Sequence, residues 1–286
     1  MKSSVCQSEI VSMKNFNNLF VEMSAKSCNQ RCSSCYIEFP KYKKVQDFIS
    51  IEKVKQALND TACEDIKCIY LTGAEPMTHP DFNAILRLCL KRADVCICTN
   101  GSFINEKKAR FLKKVEDEGN NEIIFKISMD HYDEEKNDYA RCRGAFRQAA
   151  FAVKYLVKYG FMPIIVCTNY YKEDECILLE KFQEIMAKYS YIMNKSHLQI
   201  VPWHDSNIAF NEDVNLEYSS LDCEYGRVLT EQGVYACPFL SDDYRGRCGS
   251  NFKDYTKRCS LETAFCQTCI SADKLMFGID FSNFEN

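Results

Sequence analysis

Three cysteines lie close together near the N-terminus, in the stretch SCNQRCSSCY: Cys28, Cys32 and Cys35. Thiolates bind soft metals such as zinc, and they hold iron–sulfur clusters. A structural zinc site takes four protein ligands and a disulfide takes two, so three clustered thiols match neither. They do match a four-iron, four-sulfur cluster whose fourth iron is open to a chelating small molecule. A partial zinc site, or chance in a chain with 18 cysteines, is the alternative.

A second group of cysteines lies near the C-terminus. Its members are Cys223, Cys237, Cys248, Cys259, Cys266 and Cys269. Residues 223–238 predict a hairpin that turns near Gly233 and carries a cysteine at each end, and residues 266–269 (CQTC) add a tight pair. Two such pairs could bind zinc or an iron–sulfur cluster, and either metal would stabilise a segment with little core of its own.

Cys248 differs from the other members of this group. It lies in the sequence RGRCGS, where the glycines indicate an exposed loop and the two arginines are expected to lower the pKa of the thiol. A further set of cysteines lies inside apolar runs, where we expect small buried hydrophobes. These are Cys63, Cys68, Cys89, Cys96, Cys98, Cys167 and Cys176.

The elements that position the first three cysteines follow a regular order. Between residues 17 and 208, about six apolar runs typical of strands alternate with amphipathic helical segments, which predicts a parallel sheet covered by helices. Six units are too few for a complete eight-fold barrel, so we predict an α/β fold with a partial (β/α)6 TIM-like barrel. The cysteine loop and the segments TGAEP, TNG and SMD follow successive strands, at the edge where such folds place their chemistry. His204 ends the last strand, where it could face a substrate or be a simple hydrogen-bonded histidine.

The alternation of predicted strands and helices ends at about residue 208. We therefore expect an N-terminal arm (1–16), a barrel core (17–208) and a small Cys-rich domain (209–286). The net charge of −4 argues against a nucleic-acid partner. The first 16 residues lack the apolar run of a signal peptide, and no stretch is long enough to span a membrane. These features predict a cytoplasmic protein in a reducing compartment.

The spacing C-x3-C-x2-C followed by an aromatic residue, with the strand-end segments in this order, resembles the radical SAM superfamily. The resemblance implies that Cys28, Cys32 and Cys35 hold a 4Fe-4S cluster whose open iron binds S-adenosylmethionine (SAM). TGAEP resembles the GGEP motif of the family, with Ala74 as a departure, and DYARCRGAF resembles a stretch whose arginine pairs with the SAM carboxylate. Ser34 stands where the family often has an aromatic residue, and Tyr36 follows directly after Cys35. The implied cofactor-binding residues are Tyr36, Gly73, Glu75, Pro76, Asn100, Ser128, Asp130, and Arg141 or Arg143.

The C-terminal cysteines are similar to the auxiliary-cluster domains of the SPASM and twitch branch of that superfamily. Mapping by order implies one auxiliary 4Fe-4S cluster held by Cys223, Cys237, Cys266 and Cys269. Cys248 is then a candidate catalytic residue, as a hydrogen-atom donor to a substrate radical, and Cys259 is left without a role. A structural zinc ribbon built from the same two pairs is the alternative.

The resemblance implies reductive cleavage of SAM to a 5′-deoxyadenosyl radical that abstracts a hydrogen atom from a substrate carbon, with a flavodoxin- or ferredoxin-type electron donor. We expect peptide modification by crosslinking, oxidation or epimerisation. Only about 16 residues precede the first strand, so we expect no N-terminal peptide-binding domain. The alternatives are dehydrogenation or epimerisation of a sugar or aminocyclitol, a zinc-stapled binding module without catalysis, and an iron–sulfur electron carrier.

Overall fold

The computed structural model describes residues 10–37, 46–204, 220–272 and 274–279. The strands in chain order are β1 (Ile10–Ser12), β2 (Asn18–Ser24), β3 (Cys68–Gly73), β4 (Asp94–Thr99), β5 (Ile123–Ser128), β6 (Ile164–Asn169), β7 (Leu198–Pro202), β8 (Gly226–Thr230), β9 (Gly233–Tyr235), β10 (Arg247–Gly249) and β11 (Arg258–Ser260). The α-helices are α1 (Ile51–Asp60), α2 (Phe82–Leu90), α3 (Glu106–Glu116), α4 (Glu134–Ala140), α5 (Ala145–Lys158), α6 (Glu175–Ala187), α7 (Asp222–Tyr225) and α8 (Ala264–Ala272).

The main sheet contains the six parallel strands that the sequence predicts. Strands β2 to β7 each pair in parallel with the next, and the full order is β10-β9-β8-β2-β3-β4-β5-β6-β7. All six strands therefore present their carboxyl ends at one edge. The mostly parallel sheet with its covering helices confirms the predicted partial barrel. No helix of the described residues is long and apolar enough to cross a membrane.

The C-terminal region continues this sheet at its other edge. Strand β8 pairs in parallel with β2, and β9 returns antiparallel to β8 after a turn at Gly233, as the predicted hairpin requires. Strand β1 pairs antiparallel with β11, so that Val11 lies opposite Cys259. The described part of the N-terminal arm thus packs on the Cys-rich region. The predicted boundary at residues 208 and 209 lies outside the described residues.

The sheet is buried on both faces, which explains its continuous apolar strands. One face packs against the helices and includes Leu19, Ile69 and Val95, which have no exposed surface. The inner face has a smaller cluster in which Phe20 stacks on Tyr70 with ring centroids 4.5 Å apart. Each buried aliphatic or aromatic side chain contributes about 1.5–3 kcal/mol, and this burial fixes the register of the strand ends.

The helices follow their amphipathic patterns, with two differences from the predictions. Ser50 occupies the expected N-cap position of α1, but its hydroxyl bonds the carboxylate of Glu231 at 3.2 Å instead of a backbone N–H of the helix. Helix α4 was not predicted, because its sequence EEKNDYA is polar and lacks apolar periodicity. Helix α5 ends as predicted, with Gly160 in the left-handed region at φ 89°.

Not all of the cysteines expected in the core are buried. Cys68, Cys89, Cys96 and Cys167 are buried, as predicted. The prediction is wrong for Cys63 and Cys176, which are exposed, because Cys63 lies in the turn after α1 and Cys176 in the first turn of α6. Cys98 is partly exposed.

Gly73 fixes the contact between the ends of β2 and β3. Its φ of +109° is unfavourable for any residue with a side chain, and a Cβ placed there would lie 2.3 Å from the carbonyl oxygen of Ser24. The next residue, Ala74, donates its backbone N–H to the same oxygen at 2.8 Å. Only glycine can keep both the turn and this hydrogen bond.

We therefore expect Gly73→Ala to destabilise the protein by about 2–4 kcal/mol, through the strained φ and the clash with Ser24. Gly119→Ala is the matched control, because a Cβ at Gly119 would meet no atom within 4 Å. Urea denaturation followed by circular dichroism measures both variants. Equal stability of the two variants would contradict the role assigned to Gly73.

Candidate active site

A cavity of about 200 Å³ opens at the carboxyl ends of the parallel strands. All three cysteines of the first loop line this cavity. The predicted cofactor-binding residues that also line it are Tyr36, Gly73, Asn100, Ser128 and Arg141. Residues separated by more than 100 positions in the chain are thus brought together where the sequence analysis expects chemistry.

The cysteine loop turns its thiols towards the cavity. Asn29, Arg31 and Ser33 are exposed, whereas the three cysteines of the loop are half-buried. The backbone N–H of Gln30 donates to the sulfur of Cys28 at 3.3 Å, and the Asn100 amide donates to the same sulfur at 3.8 Å. Such N–H donors stabilise a thiolate or a metal-bound sulfur.

A carboxylate that the sequence analysis did not identify anchors the start of this loop. Asp47 accepts hydrogen bonds from the hydroxyls of Ser24 (2.9 Å) and Ser27 and from the backbone N–H of Lys26 (2.9 Å). Partial burial raises the pKa of Asp47, but these hydrogen bonds outweigh it and leave the pKa below its ordinary value. At the other end of the loop, the Ser33 backbone N–H donates to the Ala140 carbonyl at 2.7 Å.

The loop thiols fit a metal cluster. Burial raises the pKa of Cys28, and it raises the pKa of Cys32 to about 12 although Arg141 lies nearby. Bare thiols in this position therefore keep their protons at neutral pH. Metal binding replaces those protons and offsets the cost of burying thiolates. Three inward thiols on one loop, with N–H donors directed at one sulfur, are suited to hold a cluster.

Glu75 and Pro76 do not line the cavity. They are buried next to it and contact residues at the ends of its strands. The buried Glu75 carboxylate accepts hydrogen bonds from the Thr99 hydroxyl at 2.7 Å and the Asn100 backbone N–H at 2.9 Å. Burial raises the pKa of Glu75, and these donors partly oppose the increase. Pro76 is buried and begins a one-turn helix over residues 76–78. Glu75 therefore joins the end of β3 to the end of β4 and orients Asn100.

Arg141 and Arg143 occupy different places. The Arg141 side chain is 10% exposed, lines the cavity, and lies 3.1 Å from the buried carboxylate of Asp130. Burial opposes the charge of Arg141, but Asp130 and the neighbouring cysteines raise its pKa overall, so it stays cationic. Arg143 is exposed, in a surface depression beside acidic residues. Asp130 does not line the cavity; it also accepts from the Ser34 hydroxyl at 2.8 Å.

Strand positions that the sequence analysis did not single out also line the cavity. Thr72, Cys98 and Lys126 come from β3, β4 and β5. Their period-two spacing from Ala74, Asn100 and Ser128 is the signal that could have identified them. Lys126 is buried, and its ammonium donates to the Phe277 carbonyl at 2.5 Å.

The C-terminal region supplies an aromatic wall to the cavity. Tyr36 packs edge-to-face against Phe239 and Phe277, with ring centroids 5.4 and 5.9 Å apart. Met276 and His204 complete the wall, and His204 stacks on Phe265 while its Nδ1 bonds the Thr268 hydroxyl at 2.8 Å. His204 therefore both faces the cavity and forms a hydrogen bond. No local motif in the sequence marks Phe239, Met276 or Phe277, which meet the barrel only after folding.

The segment 274–279 is held firmly across the barrel. The buried carboxylate of Asp222 accepts from the backbone N–H groups of Met276 at 2.6 Å and Gly278 at 2.7 Å. Gln199 donates to the Met276 carbonyl at 3.1 Å. These bonds, with the one from Lys126, hold Met276 and Phe277 against the cavity.

A second, apolar cavity of about 30 Å³ collects most of the C-terminal cysteines. Five cysteines line it: Cys223, Cys237, Cys259, Cys266 and Cys269. The four that the sequence analysis grouped together do meet, and Cys259 from β11 joins them. A hydrogen bond from Cys223 lowers the pKa of Cys259 to about 7, and burial raises it in part while Arg227 lowers it further. Phe239 and Phe277 line both cavities.

Cys248 lies elsewhere. It is buried in β10, its thiol donates to the Gly246 carbonyl at 3.6 Å, and it lines neither cavity. Burial raises its pKa to about 11, although Arg227 opposes this. The expected exposed thiol with a lowered pKa is wrong, because the glycines flank a short paired strand and not a loop.

Comparisons with known proteins agree with the fold and the cysteine loop. The chain is 28% identical over 169 residues to the antilisterial bacteriocin subtilosin biosynthesis protein AlbA of Bacillus subtilis (strain 168), a match covering 57% of this chain and 36% of AlbA. It is 25% identical over 255 residues to a GTP 3′,8-cyclase of Alkaliphilus metalliredigens (strain QYMF), covering 85% of this chain and 73% of that protein. The chain thus spans well under two thirds of the length of AlbA.

A solved structure shares the fold. SuiB of Streptococcus suis bound to precursor peptide SuiA superposes with a TM-score of 0.64 at 12% identity, covering 85% of this chain and 64% of SuiB.

The family model described as Radical SAM superfamily matches residues 24–174, just over half of the chain, and includes the three loop cysteines. The chain therefore belongs to the Radical SAM superfamily.

Proposed function

We propose that this chain is a peptide-modifying enzyme that binds SAM at the cysteine loop and acts on a substrate held in the larger cavity. A bound 4Fe-4S cluster and SAM supply the chemistry, which is reductive cleavage of the sulfonium to a radical able to abstract a hydrogen atom from a substrate carbon. The observation that carries the proposal is the convergence of three loop thiols, Arg141 and the aromatic wall on one cavity.

The residues of the chain bind and orient the cofactor. Arg141 is the arginine suited to the SAM carboxylate, because its guanidinium lines the cavity and Asp130 fixes its orientation. Asn100 and Ser128 line the same cavity and offer polar contacts to the remainder of SAM. The apolar wall of Tyr36, Phe239 and Phe277 excludes water from the reacting atoms, which protects a reactive radical from side reactions.

A peptide is the favoured substrate. AlbA is a bacteriocin biosynthesis protein, and SuiB is bound to a precursor peptide. The aromatic wall suits an apolar or aromatic side chain. Within the part of the chain that the structure describes, the cavity is lined by the cations Lys126 and Arg141 and by no carboxylate. The similarity to a GTP 3′,8-cyclase supports a second candidate, a small-molecule substrate, for which the sequence analysis favours a sugar or aminocyclitol.

We also propose one auxiliary 4Fe-4S cluster in the second cavity. Cys223, Cys237, Cys266 and Cys269 are the expected ligands, and Cys259 is a fifth thiol at the same place. A structural zinc ribbon held by the same two pairs of cysteines is the alternative.

The two cavities share a wall, which gives the auxiliary cluster a function. Phe239 and Phe277 line both cavities, so these two rings adjoin both the substrate cavity and the second group of cysteines. An auxiliary cluster there could accept an electron from the substrate radical and make the reaction an oxidation.

We propose residues 17–208 as the core and 209–286 as the auxiliary domain, with a flavodoxin- or ferredoxin-type electron donor in the cytoplasm.

Removal of one loop thiol tests the first cluster. In Cys28→Ala, Cys32→Ala or Cys35→Ala, we expect iron to fall from about eight to about four per chain after anaerobic reconstitution, because only the auxiliary cluster is left. Formation of 5′-deoxyadenosine from SAM and dithionite should be lost. Cys63→Ala is the control, since Cys63 is exposed and lines neither cavity. Unchanged iron and activity in the three variants would contradict the proposal.

The two arginines provide a second test. Arg141→Met should weaken SAM binding about 10- to 100-fold, the effect of losing a charge-assisted hydrogen bond of about 1.5–3 kcal/mol. Arg143→Met should bind SAM as the wild type does, because Arg143 is exposed and outside the cavity. A SAM titration followed by electron paramagnetic resonance (EPR) of the reduced cluster measures both. Equal affinities in the two variants would refute the assignment of Arg141.

The substrate class is tested by product analysis. The reduced enzyme and SAM are incubated with peptides encoded beside its gene, and separately with sugars and aminocyclitols. We expect a peptide to increase 5′-deoxyadenosine formation and to lose two hydrogens in the mass spectrum, as oxidation requires. A crosslink also removes hydrogens, whereas epimerisation leaves the mass unchanged and is detected by hydrolysis and chiral analysis. Product formation only from a sugar or aminocyclitol would establish the second candidate instead.

A further inference from the structure

Arg227 is a fully buried cation in the C-terminal region. It lies in β8 with 0% exposure and is among the largest fully buried side chains of the described residues. Its Nη1 donates to the carbonyls of Cys223 at 2.6 Å and Gly226 at 2.7 Å, and its Nη2 donates to the carbonyl of Lys257 at 2.6 Å. Its Nε has no hydrogen-bond partner.

All of these partners are neutral. Over the described ranges, no carboxylate forms an ion pair with Arg227, and Glu224, on the same short helix as Cys223, pairs with Lys14 at 2.8 Å instead. A buried cation costs several kcal/mol unless an anion or a full set of hydrogen bonds compensates it. The carbonyl partners of Arg227 leave its Nε–H without a partner and supply no full negative charge.

The second cavity lies next to this charge, although Arg227 does not line it. Arg227 bonds the backbone of Cys223, and it is close enough to Cys259 to act on that thiol electrostatically. The Ser260 hydroxyl, in the wall of the same cavity, is also buried without a partner. An iron–sulfur cluster held by thiolates has a net negative charge, so it would supply the missing anion.

The geometry of Arg227 also fixes the positions of two thiols. Its guanidinium links the carbonyl of Cys223 in α7 to that of Lys257, two residues before Cys259. Cys223 lies in α7, and Lys257 directly precedes β11; each of these two elements contributes one cysteine to the cavity. The planar fork of arginine makes both bonds at once, which a lysine ammonium does with less geometric precision.

We propose that Arg227 is a positioning residue of the auxiliary cluster, which holds Cys223 beside Cys259 and raises the reduction potential of the cluster through its buried charge. One-electron reduction adds a negative charge to the cluster, so a fixed cation stabilises the reduced state more than the oxidised state. This inference rests on the auxiliary cluster of the proposed function.

The test uses the full-length chain with Cys28, Cys32 and Cys35 all changed to alanine, so that only the auxiliary cluster gives a signal. Three variants are made in this background. Arg227→Met removes the positive charge, Arg227→Lys keeps it, and Arg247→Met is the control. Arg247 is exposed and lies on β10, which β9 separates from the strand of Arg227. Iron content is measured first, and then the midpoint potential by a redox titration followed by EPR.

We expect Arg227→Met to shift the midpoint potential to more negative values than Arg247→Met, with Arg227→Lys between them. Loss of iron from Arg227→Met but not from Arg227→Lys would equally support the role of the charge. The inference is overturned if Arg227→Met retains both iron and the potential of the control, or if the two Arg227 variants lose iron equally. Absence of iron from the triple-alanine background refutes the auxiliary cluster itself, and with it this role.

Discussion

The active site depends on the buried carboxylate of Asp130, which joins three parts of the chain. It accepts hydrogen bonds from the Ser34 hydroxyl in the cysteine loop at 2.8 Å and from the Thr168 backbone N–H on β6 at 3.2 Å, and it lies 3.1 Å from Arg141 after α4. An unpaired buried carboxylate costs several kcal/mol, so these three partners together stabilise the Asp130 carboxylate. The same bonds therefore orient the cluster loop and the cavity arginine together.

Several residues of the family motifs act in this indirect way. Glu75 orients Asn100 through buried hydrogen bonds, and Gly73 allows β3 to end against the Ser24 carbonyl. Neither Glu75 nor Asp130 lines the cavity. A motif residue at the end of a strand can thus determine the geometry of a site by supporting its neighbours. Ala74 stands where the GGEP motif has a glycine. This difference is tolerated because the residue contributes its backbone N–H, which donates to the Ser24 carbonyl.

The sequence predicted the parts of the site that follow from local periodicity and missed those that depend on long-range packing. The six parallel strands could be predicted because each is a continuous apolar run between turn residues, and the chemistry follows at their carboxyl ends. Phe239 and Phe277 could not, since nothing local indicates that residues so late in the chain would pack against Tyr36. Cys248 was misplaced because glycines flank short strands as well as loops.

The two proposed clusters have different electrostatic surroundings, and this difference sets a direction for electron flow. Arg141 near the first cluster is neutralised by Asp130, so it adds little net positive charge. Arg227 near the second has neutral carbonyl partners and, within the described residues, no carboxylate partner, whereas the Asp222 carboxylate in the cavity wall accepts from three backbone N–H groups. A cluster beside an uncompensated buried cation is easier to reduce than one beside an ion pair. We therefore expect the first site to keep the low potential needed to cleave SAM, while the second, behind the wall of Phe239 and Phe277, receives electrons from the substrate radical.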